Sequence, residues 1–399
     1  MAKALVVYSG GLDTTVCIAV VREQGYADIV AVTVDVGQPA ADLFQARERA
    51  EALGATHVLI DGKDEFARDY CFPALQANAS YQGYPLSTAI ARPLIAKKAA
   101  EEALRLGDVD AIVHGCTGKG NDQFRIEHGL RAVAPEIPIL APIRERDLTR
   151  EWELEYAERQ NLPVGQSREK IWSIDENLWG RSIEGGRLED PALAPPEEIF
   201  QWTSAPEDAP DEPRVVEIEF AGGVPVAIDN RPMEPRQIIA EANRIAGLHG
   251  VGRIDMMEDR LIGLKARENY ECPGATLLIR AHAELEALVC TRAERRFKAT
   301  VDAQWAELAY AGLWHDPLKD DLEAFIGAVQ RRVTGFVRLV LYKGGLRVTG
   351  RRSPWALYRE GLASFDDAEQ LPQSAMPGMV RVHGLETMLY REVERECQP

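Results

Sequence analysis

The run Ser9-Gly10-Gly11-Leu12-Asp13-Thr14-Thr15 packs hydroxyls, a carboxyl and adjacent glycines into one short turn, directly after the apolar residues Ala4–Tyr8. Adjacent glycines let the backbone bend sharply and approach a ligand closely. The N–H groups of such a turn face outward, with the positive end of the following helix behind them. That combination holds phosphate, and the Ser9, Thr14 and Thr15 hydroxyls add donors. Neither G-x-x-x-x-G-K-[ST] nor a G-x-G-x-x-G after a strand is present, so the common nucleotide fingerprints do not apply. A second polar run, His114-Gly115-Cys116-Thr117-Gly118-Lys119-Gly120-Asn121-Asp122-Gln123-Phe124-Arg125, carries its own glycines with a cation, an amide and an acid. Such a turn suits amino-acid and phosphate groups together. Asn121 and Asp122 are expected to cap a helix over Gln123–Val133. Ser9, Asp13 and Lys119 stand out as the groups to act on a reacting phosphate.

Both runs need a scaffold that brings them to one place. The first 160 or so residues alternate strand and helix signals. Strands are expected at Ala4–Tyr8, Ile29–Val34, Thr56–Ile60, Ala111–Val113 and Ile137–Leu140. Helices are expected from Thr15, over Ala40–Leu53, near Asp64–Tyr70, and over Arg92–Leu106 and Thr149–Gln160. Repeated βα units imply a parallel sheet with helices on both faces. Ligands in such sheets bind at the carboxyl ends of the strands, where both polar runs fall. Beyond about Pro163 the pattern becomes α+β. Hairpins are expected at Val215–Phe220 with Val224–Ile228 and at Val337–Tyr342 with Leu346–Thr349. Helices are expected at Pro235–Ala246, within Gly274–Leu288 and Ala293–Tyr310, and as an amphipathic tail over Leu385–Glu396. The acidic, proline-rich Ala205–Pro213 reads as a surface loop.

Composition narrows the partners. At 399 residues the chain exceeds one typical core, so at least two domains are expected. No apolar run is long enough to cross a bilayer, and the first residues read as a strand rather than a targeting signal. Six cysteines without C-x-x-C spacing and seven histidines without ligand-spaced pairs argue against a zinc site, and place the chain in a reducing cytoplasm. A net charge of −17 favours small-molecule substrates over nucleic acid.

The first run resembles the S-G-G-x-D-[ST] loop of the N-type ATP pyrophosphatases, which split ATP between its α and β phosphates. With His114–Arg125, Ile90-Ala91-Arg92-Pro93-Leu94, Glu184-Gly185-Gly186, His249–Asp255, Tyr270-Glu271 and Leu341-Tyr342-Lys343-Gly344, it resembles the argininosuccinate synthase family along nearly the whole chain. The resemblance implies a ligase that joins L-citrulline to L-aspartate through a citrullyl adenylate, using ATP and Mg²⁺ and releasing AMP and pyrophosphate. It implies a fold of a parallel-sheet nucleotide-binding domain (1–165), an α+β synthetase domain (166–365) and a C-terminal arm (366–399), assembled as a homotetramer. By matching positions it assigns ATP to Val7, Tyr8, Ser9, Gly10, Gly11, Leu12, Asp13, Thr14, Thr15, the backbone near Val34, and Gly115. Aspartate falls to Thr117, Asn121 and Asp122. Citrulline falls to Tyr84, Asn121, Arg125, Ser173, Ser182, Glu258 and Tyr270. In this picture Asp122 pairs with the aspartate ammonium, Arg125 forks onto the citrulline carboxylate, and magnesium rides on phosphate oxygens and water.

The chain departs from the family in one binding position. Ala89 stands where the family has a citrulline-binding serine; either Ser87 or Thr88 supplies the hydroxyl, or citrulline is held with one bond fewer. Val34 replaces the family's alanine. Other readings are a different pyrophosphatase of this fold, such as a tRNA sulfur transferase or amide synthetase, and a non-catalytic nucleotide sensor. The first would need paired reactive cysteines or a glutamine-hydrolysing domain; the sensor would not need the acid and amide at 121 and 122.

Overall fold

The computed structural model describes residues 2–164, 172–362 and 373–397. Two compact units divide the chain, one running to Trp355 and one from Ala356. The expected domain limits at 165/166 and 365/366 lie outside the described residues.

A five-stranded parallel sheet organises the first half: β1 (Ala2–Val7), β2 (Tyr26–Asp35), β3 (Thr56–Asp61), β4 (Ala111–Val113) and β5 (Ile139–Leu140). Their spatial order is β3-β2-β1-β4-β5, and every pairing is parallel. β1 shows why the order works. Ala4 and Val6 enter one apolar core with Val16 and Ile18, while Leu5 enters the other with Val32 and Leu94. Alternate residues of a strand point to opposite faces, so helices cover both sides of the sheet and β1 is buried throughout its middle. The strand order reverses between β1 and β4, opening a crevice at their carboxyl ends. Helices lead out of that crevice at Leu12–Glu23 and Asp122–Val133.

The helix expected from Arg92 begins at Ser87 and runs to Leu106, with Pro93 inside it. Its cap is an unusual one, a tyrosine hydroxyl from just upstream. The Tyr84 hydroxyl accepts N–H bonds from Thr88 (2.6 Å) and Ala89 (3.4 Å), after Leu86 in the left-handed region (φ 64°). No local capping signal announces such a start.

The second half adds β6 (Ser173–Asn177), β7 (Gly180–Glu184), β8 (Arg214–Ala221), β9 (Val224–Ile228), β10 (Arg231–Pro232), β11 (Arg253–Asp259), β12 (Lys265–Glu271), β13 (Gly335–Tyr342) and β14 (Gly345–Arg352). The expected β8–β9 and β13–β14 hairpins lie in one antiparallel sheet, ordered β10-β9-β8-β13-β14. The hairpins β6–β7 and β11–β12 form a second, ordered β11-β12-β7-β6, which periodicity did not foretell. Helices Pro235–Leu248, Pro273–Val289, Arg292–Tyr310 and Pro317–Gln330 complete this half; the last was also unforeseen. The second unit contains the helices Met376–His383 and Leu385–Cys397. No described helix is long and apolar enough to cross a membrane.

Candidate active site

The turn after β1 is built to receive an anion. Tyr8 N–H pairs with Val32 O (2.8 Å) and Thr33 Oγ1 donates to Tyr8 O (2.9 Å), so the chain leaves the sheet in a fixed direction. Gly10 has φ +79°, and a Cβ there would lie 2.8 Å from Ala46, so only glycine fits. Arg49 Nη1 donates to Gly10 O (2.6 Å) and brings a cation behind the turn. Gly11 N–H donates to Ser9 Oγ, and Ser9 Oγ lies 3.3 Å from Thr14 Oγ1. The helix that follows has Gly11 as its N-cap and no capping side chain, leaving its first N–H groups to a ligand. Asp13 lies in that first turn. Burial pushes its pKa up, against a hydrogen bond with Glu153 and the charge of Arg150. Val34 closes the end of β2, with its side chain in the core and its carbonyl accepting from Gln38 Nε2 (3.0 Å).

The turn after β4 sits directly against the first. A Cβ at Gly115 would lie 3.0 Å from Thr14 N and 3.1 Å from Asp13 C. Two runs a hundred residues apart in sequence are therefore in van der Waals contact, because β1 and β4 are paired neighbours. His114 staples the glycine-rich turn: Cys116 N–H donates to its Nδ1 (3.2 Å), so Nε2 carries the proton toward Glu127 Oε1 (3.2 Å). That bond, with Arg131 and Arg144, holds the Glu127 carboxyl down to about 2. Thr117 and Lys119 lie exposed beyond the staple.

Asn121 does not cap its helix. Its Oδ1 accepts from Leu261 N–H (3.0 Å) and its Nδ2 donates to the Tyr310 hydroxyl (2.8 Å), both in the second half of the chain. Tertiary partners outcompeted the local cap. Asp122 is clasped by Arg92 Nε (2.8 Å) and Arg125 Nη1 (3.0 Å). Burial raises its pKa, but the two guanidiniums prevail and hold it below the usual carboxylate range. Arg92 also reaches Asp175. Arg125 spends Nε on Tyr310 O (2.9 Å) and lays its plane over the Tyr310 ring at 4.9 Å. Its Nη2 is buried and, among the described residues, has no partner.

The four-stranded sheet gathers the remaining candidates. Asp175 on β6, Ser182 on β7 and Tyr270 on β12 are register partners, so they share one face. Two-residue periodicity places Ser173, Glu184, Glu268 and Glu258 on that face too. Tyr270 donates to Glu258 Oε2 (2.5 Å) and stacks on Tyr84, ring centroids 4.0 Å apart. Arg260 ties Glu184 (2.5 Å) and Glu268 (2.8 Å) to the Lys119 carbonyl (3.3 Å), joining this face to the glycine-rich turn. Burial and the neighbouring Glu184 charge push the Glu268 carboxyl up to about 8.

The two hydroxyls expected to stand in near Ala89 differ in their surroundings. Ser87 Oγ, fully buried, turns to the Tyr84 hydroxyl (3.3 Å). Thr88 Oγ1 is buried and, among the described residues, has no partner. Sequence reasoning missed Arg92, Arg260 and Tyr310. Arg92 lay within a quoted run, but nothing local to Arg260 or Tyr310 signals a role.

A clasped acid, an unpartnered guanidinium nitrogen, a phosphate-type turn and an acidic sheet face thus converge at one crevice. Family models agree with that architecture: the arginosuccinate synthase N-terminal HUP domain matches residues 3–163, and the arginosuccinate synthase C-terminal domain matches residues 172–390. The chain is similar to proteins named argininosuccinate synthase in three archaea. It is 54% identical over 98% of both chains to that of Methanococcoides burtonii. It is 55% identical over 97% of both to that of Methanocaldococcus jannaschii. For Archaeoglobus fulgidus the identity is 52%, over 98% of this chain and 99% of that one. With both halves matched and relatives of this identity along nearly its full length, the chain belongs to the argininosuccinate synthase family.

Proposed function

We propose that this chain condenses L-citrulline with L-aspartate to argininosuccinate, consuming ATP and releasing AMP and pyrophosphate. The observation that carries the reading is the contact of Gly115 with the first turn after Gly11, beside the Asp122 clasp and the Tyr270–Glu258 face. The Ser9–Thr15 turn and the helix N–H groups behind it take the triphosphate, and the charge that grows on departing pyrophosphate falls there. Ser9, Asp13 and Lys119 are the groups set nearest that charge. Gly115 and the Val34 backbone complete the nucleotide site.

The ureido oxygen of citrulline attacks the α-phosphate, forming the citrullyl adenylate and expelling pyrophosphate. The aspartate amine then attacks the activated carbon, and AMP leaves. Positioning and charge stabilisation supply the rate. Citrulline lies against the stacked Tyr84 and Tyr270, with its carboxylate at Arg125 Nη2 and Thr88 Oγ1 and its nitrogens toward Glu258, Ser173 and Ser182. The two unpartnered buried donors support this placement. Thr88, not Ser87, supplies the hydroxyl absent at Ala89. Aspartate lies at Thr117, Asn121 and Asp122. Because Asp122 is ionised and held by two arginines, it can take an ammonium while those arginines face carboxylates.

Magnesium would neutralise phosphate charge. Among the described residues no cluster of His, Cys, Asp or Glu is arranged to hold a metal ion. The residues fit a magnesium carried by ATP oxygens and water, and Asp13 in the first helical turn could lend it a carboxylate. Assembly as a homotetramer in the cytoplasm, with residues 1–165, 166–365 and 366–399 as nucleotide-binding domain, synthetase domain and arm, belongs to the same proposal. The test is pyrophosphate release in steady state. It should require both ATP and citrulline and be indifferent to tRNA. Release without citrulline points to another pyrophosphatase of this fold, and no release at all points to a sensor.

A further inference from the structure

We infer that Tyr310 is a positioning residue for the citrulline subsite, its hydroxyl holding Glu258 and Asn121 in register across the two halves of the chain. The inference rests on the citrulline reading above and adds a residue to it. Tyr310 ends the Arg292–Tyr310 helix and is fully buried. Its hydroxyl donates to Glu258 Oε1 at 2.5 Å, with Asp259 O at 3.1 Å as a weaker alternative acceptor. The same oxygen accepts from Asn121 Nδ2 at 2.8 Å. Leu261 N–H pins Asn121 Oδ1, so the amide cannot flip and its nitrogen must face the phenol. One hydroxyl thus reads a carboxylate on β11 and an amide on the turn after β4.

Other parts of Tyr310 serve the same centre. Its carbonyl accepts from Arg125 Nε at 2.9 Å, which leaves Arg125 Nη2 as the open donor. The guanidinium lies over its ring, and the far face of that ring stacks on Tyr81, centroids 3.6 Å apart. Burial and the Glu258 charge push the phenol pKa up, so the hydroxyl stays protonated and remains a donor. Glu258 receives a second short bond from Tyr270, and two phenols fix both of its oxygens. A carboxylate held at both oxygens keeps a fixed orientation beside Tyr270, which stacks on Tyr84. Packing alone does not need this arrangement, since phenylalanine would fill the same space.

Tyr310→Phe tests the idea because it keeps the Tyr81 stack and the Arg125 contact while deleting the hydroxyl. The KM for citrulline should rise about five- to twentyfold, with the KM for ATP within twofold of the parent. Glu258 faces Tyr270, Tyr310, Glu268 and Tyr81. Loss of the Tyr310 hydroxyl removes one of the two phenol donors on Glu258, so the citrulline KM should change more than kcat. Equal rises in both KM values, or an unmoved citrulline KM, would overturn the inference. Site-specific 3,5-difluorotyrosine at 310 preserves ring, hydroxyl and fold. Because it keeps the donor, it should hold the citrulline KM within twofold of the parent, and a rise matching that of Tyr310→Phe counts against the idea. If the parent enzyme itself ignores citrulline, the underlying reading fails. If the parent uses citrulline and both variants match it, only the role of Tyr310 fails.

Discussion

The proposed nucleotide side and the proposed amino-acid side of the crevice are built differently. On the nucleotide side, each functional run is contiguous, and strand, turn and helix follow within twenty residues of one another. Its donors are mostly backbone N–H groups, oriented by the helix they begin. On the amino-acid side, Ser173, Ser182, Glu258 and Tyr270 come from four strands and reach one face only through sheet register. Its donors and acceptors are side chains, and several of them are held by partners far away in sequence. A phosphate can be bound by a local motif because its charge is dense and nearly isotropic. Discriminating citrulline from similar amino acids needs several directional contacts at fixed distances, and a single loop cannot supply them.

If that contrast is right, damage to the two sides should separate kinetically. Asp122→Ala removes the shared partner of Arg92 and Arg125, so the largest loss is expected there. The kcat/KM for aspartate should fall on the order of a hundredfold or more, while citrulline-dependent ATP–pyrophosphate exchange persists in part. Exchange that collapses to the same degree would erase the division between aspartate and citrulline roles. Gly115→Ala drives a Cβ to 3.0 Å from Thr14 N and pushes the two turns apart. The dissociation constant for ATP, measured by calorimetry, should rise about tenfold, and an unchanged constant would show that contact between the turns is incidental. Thr88→Val should raise the citrulline KM about two- to tenfold, the range of one hydrogen bond. Ser87→Ala should leave it within twofold, and the reverse ranking would return the hydroxyl role to Ser87.

The smallest effect concerns pH. Glu268 has its folded-state pKa raised from 4.5 to about 8, so the folded state binds this proton more tightly than the unfolded chain. That contribution is present below about 4.5 and is lost as pH rises through about 8. Glu268→Gln should therefore flatten part of the alkaline fall in melting temperature without altering ATP binding. A steeper fall in the variant would mean that the carboxylate is ionised and stabilised by Arg260 in the native enzyme.

Particular residues mark how far the chain could be read in one dimension. The Gly10–Thr14 turn, the five parallel strands and the glycine-rich turn at Gly115 were legible because their signals are local: apolar runs, glycines, and helix starts at fixed offsets. Both β6–β7 and β11–β12 escaped notice. Runs such as Ser173-Ile174-Asp175-Glu176-Asn177 are too polar to announce a strand, being polar on the face that lines the site. The start of the Ser87–Leu106 helix escaped because a tyrosine hydroxyl from outside the helix accepts its first N–H bonds. Asn121 was read as a cap because amides cap helices, whereas two distant partners claim both of its polar ends.

By itself, then, the order of amino acids determined the phosphate-type turn, the parallel sheet and the family to which the chain belongs. Those features follow from short-range sterics and periodicity, which the unfolded chain already contains. The three-dimensional fold alone decided that Arg92 joins Arg125 on Asp122, that Arg125 packs on Tyr310, and that Tyr310 bridges Glu258 to Asn121. Hydrogen bonds and ion pairs of that kind depend on distances of about 3 Å between residues up to two hundred positions apart. Only packing of the two halves brings such groups within reach.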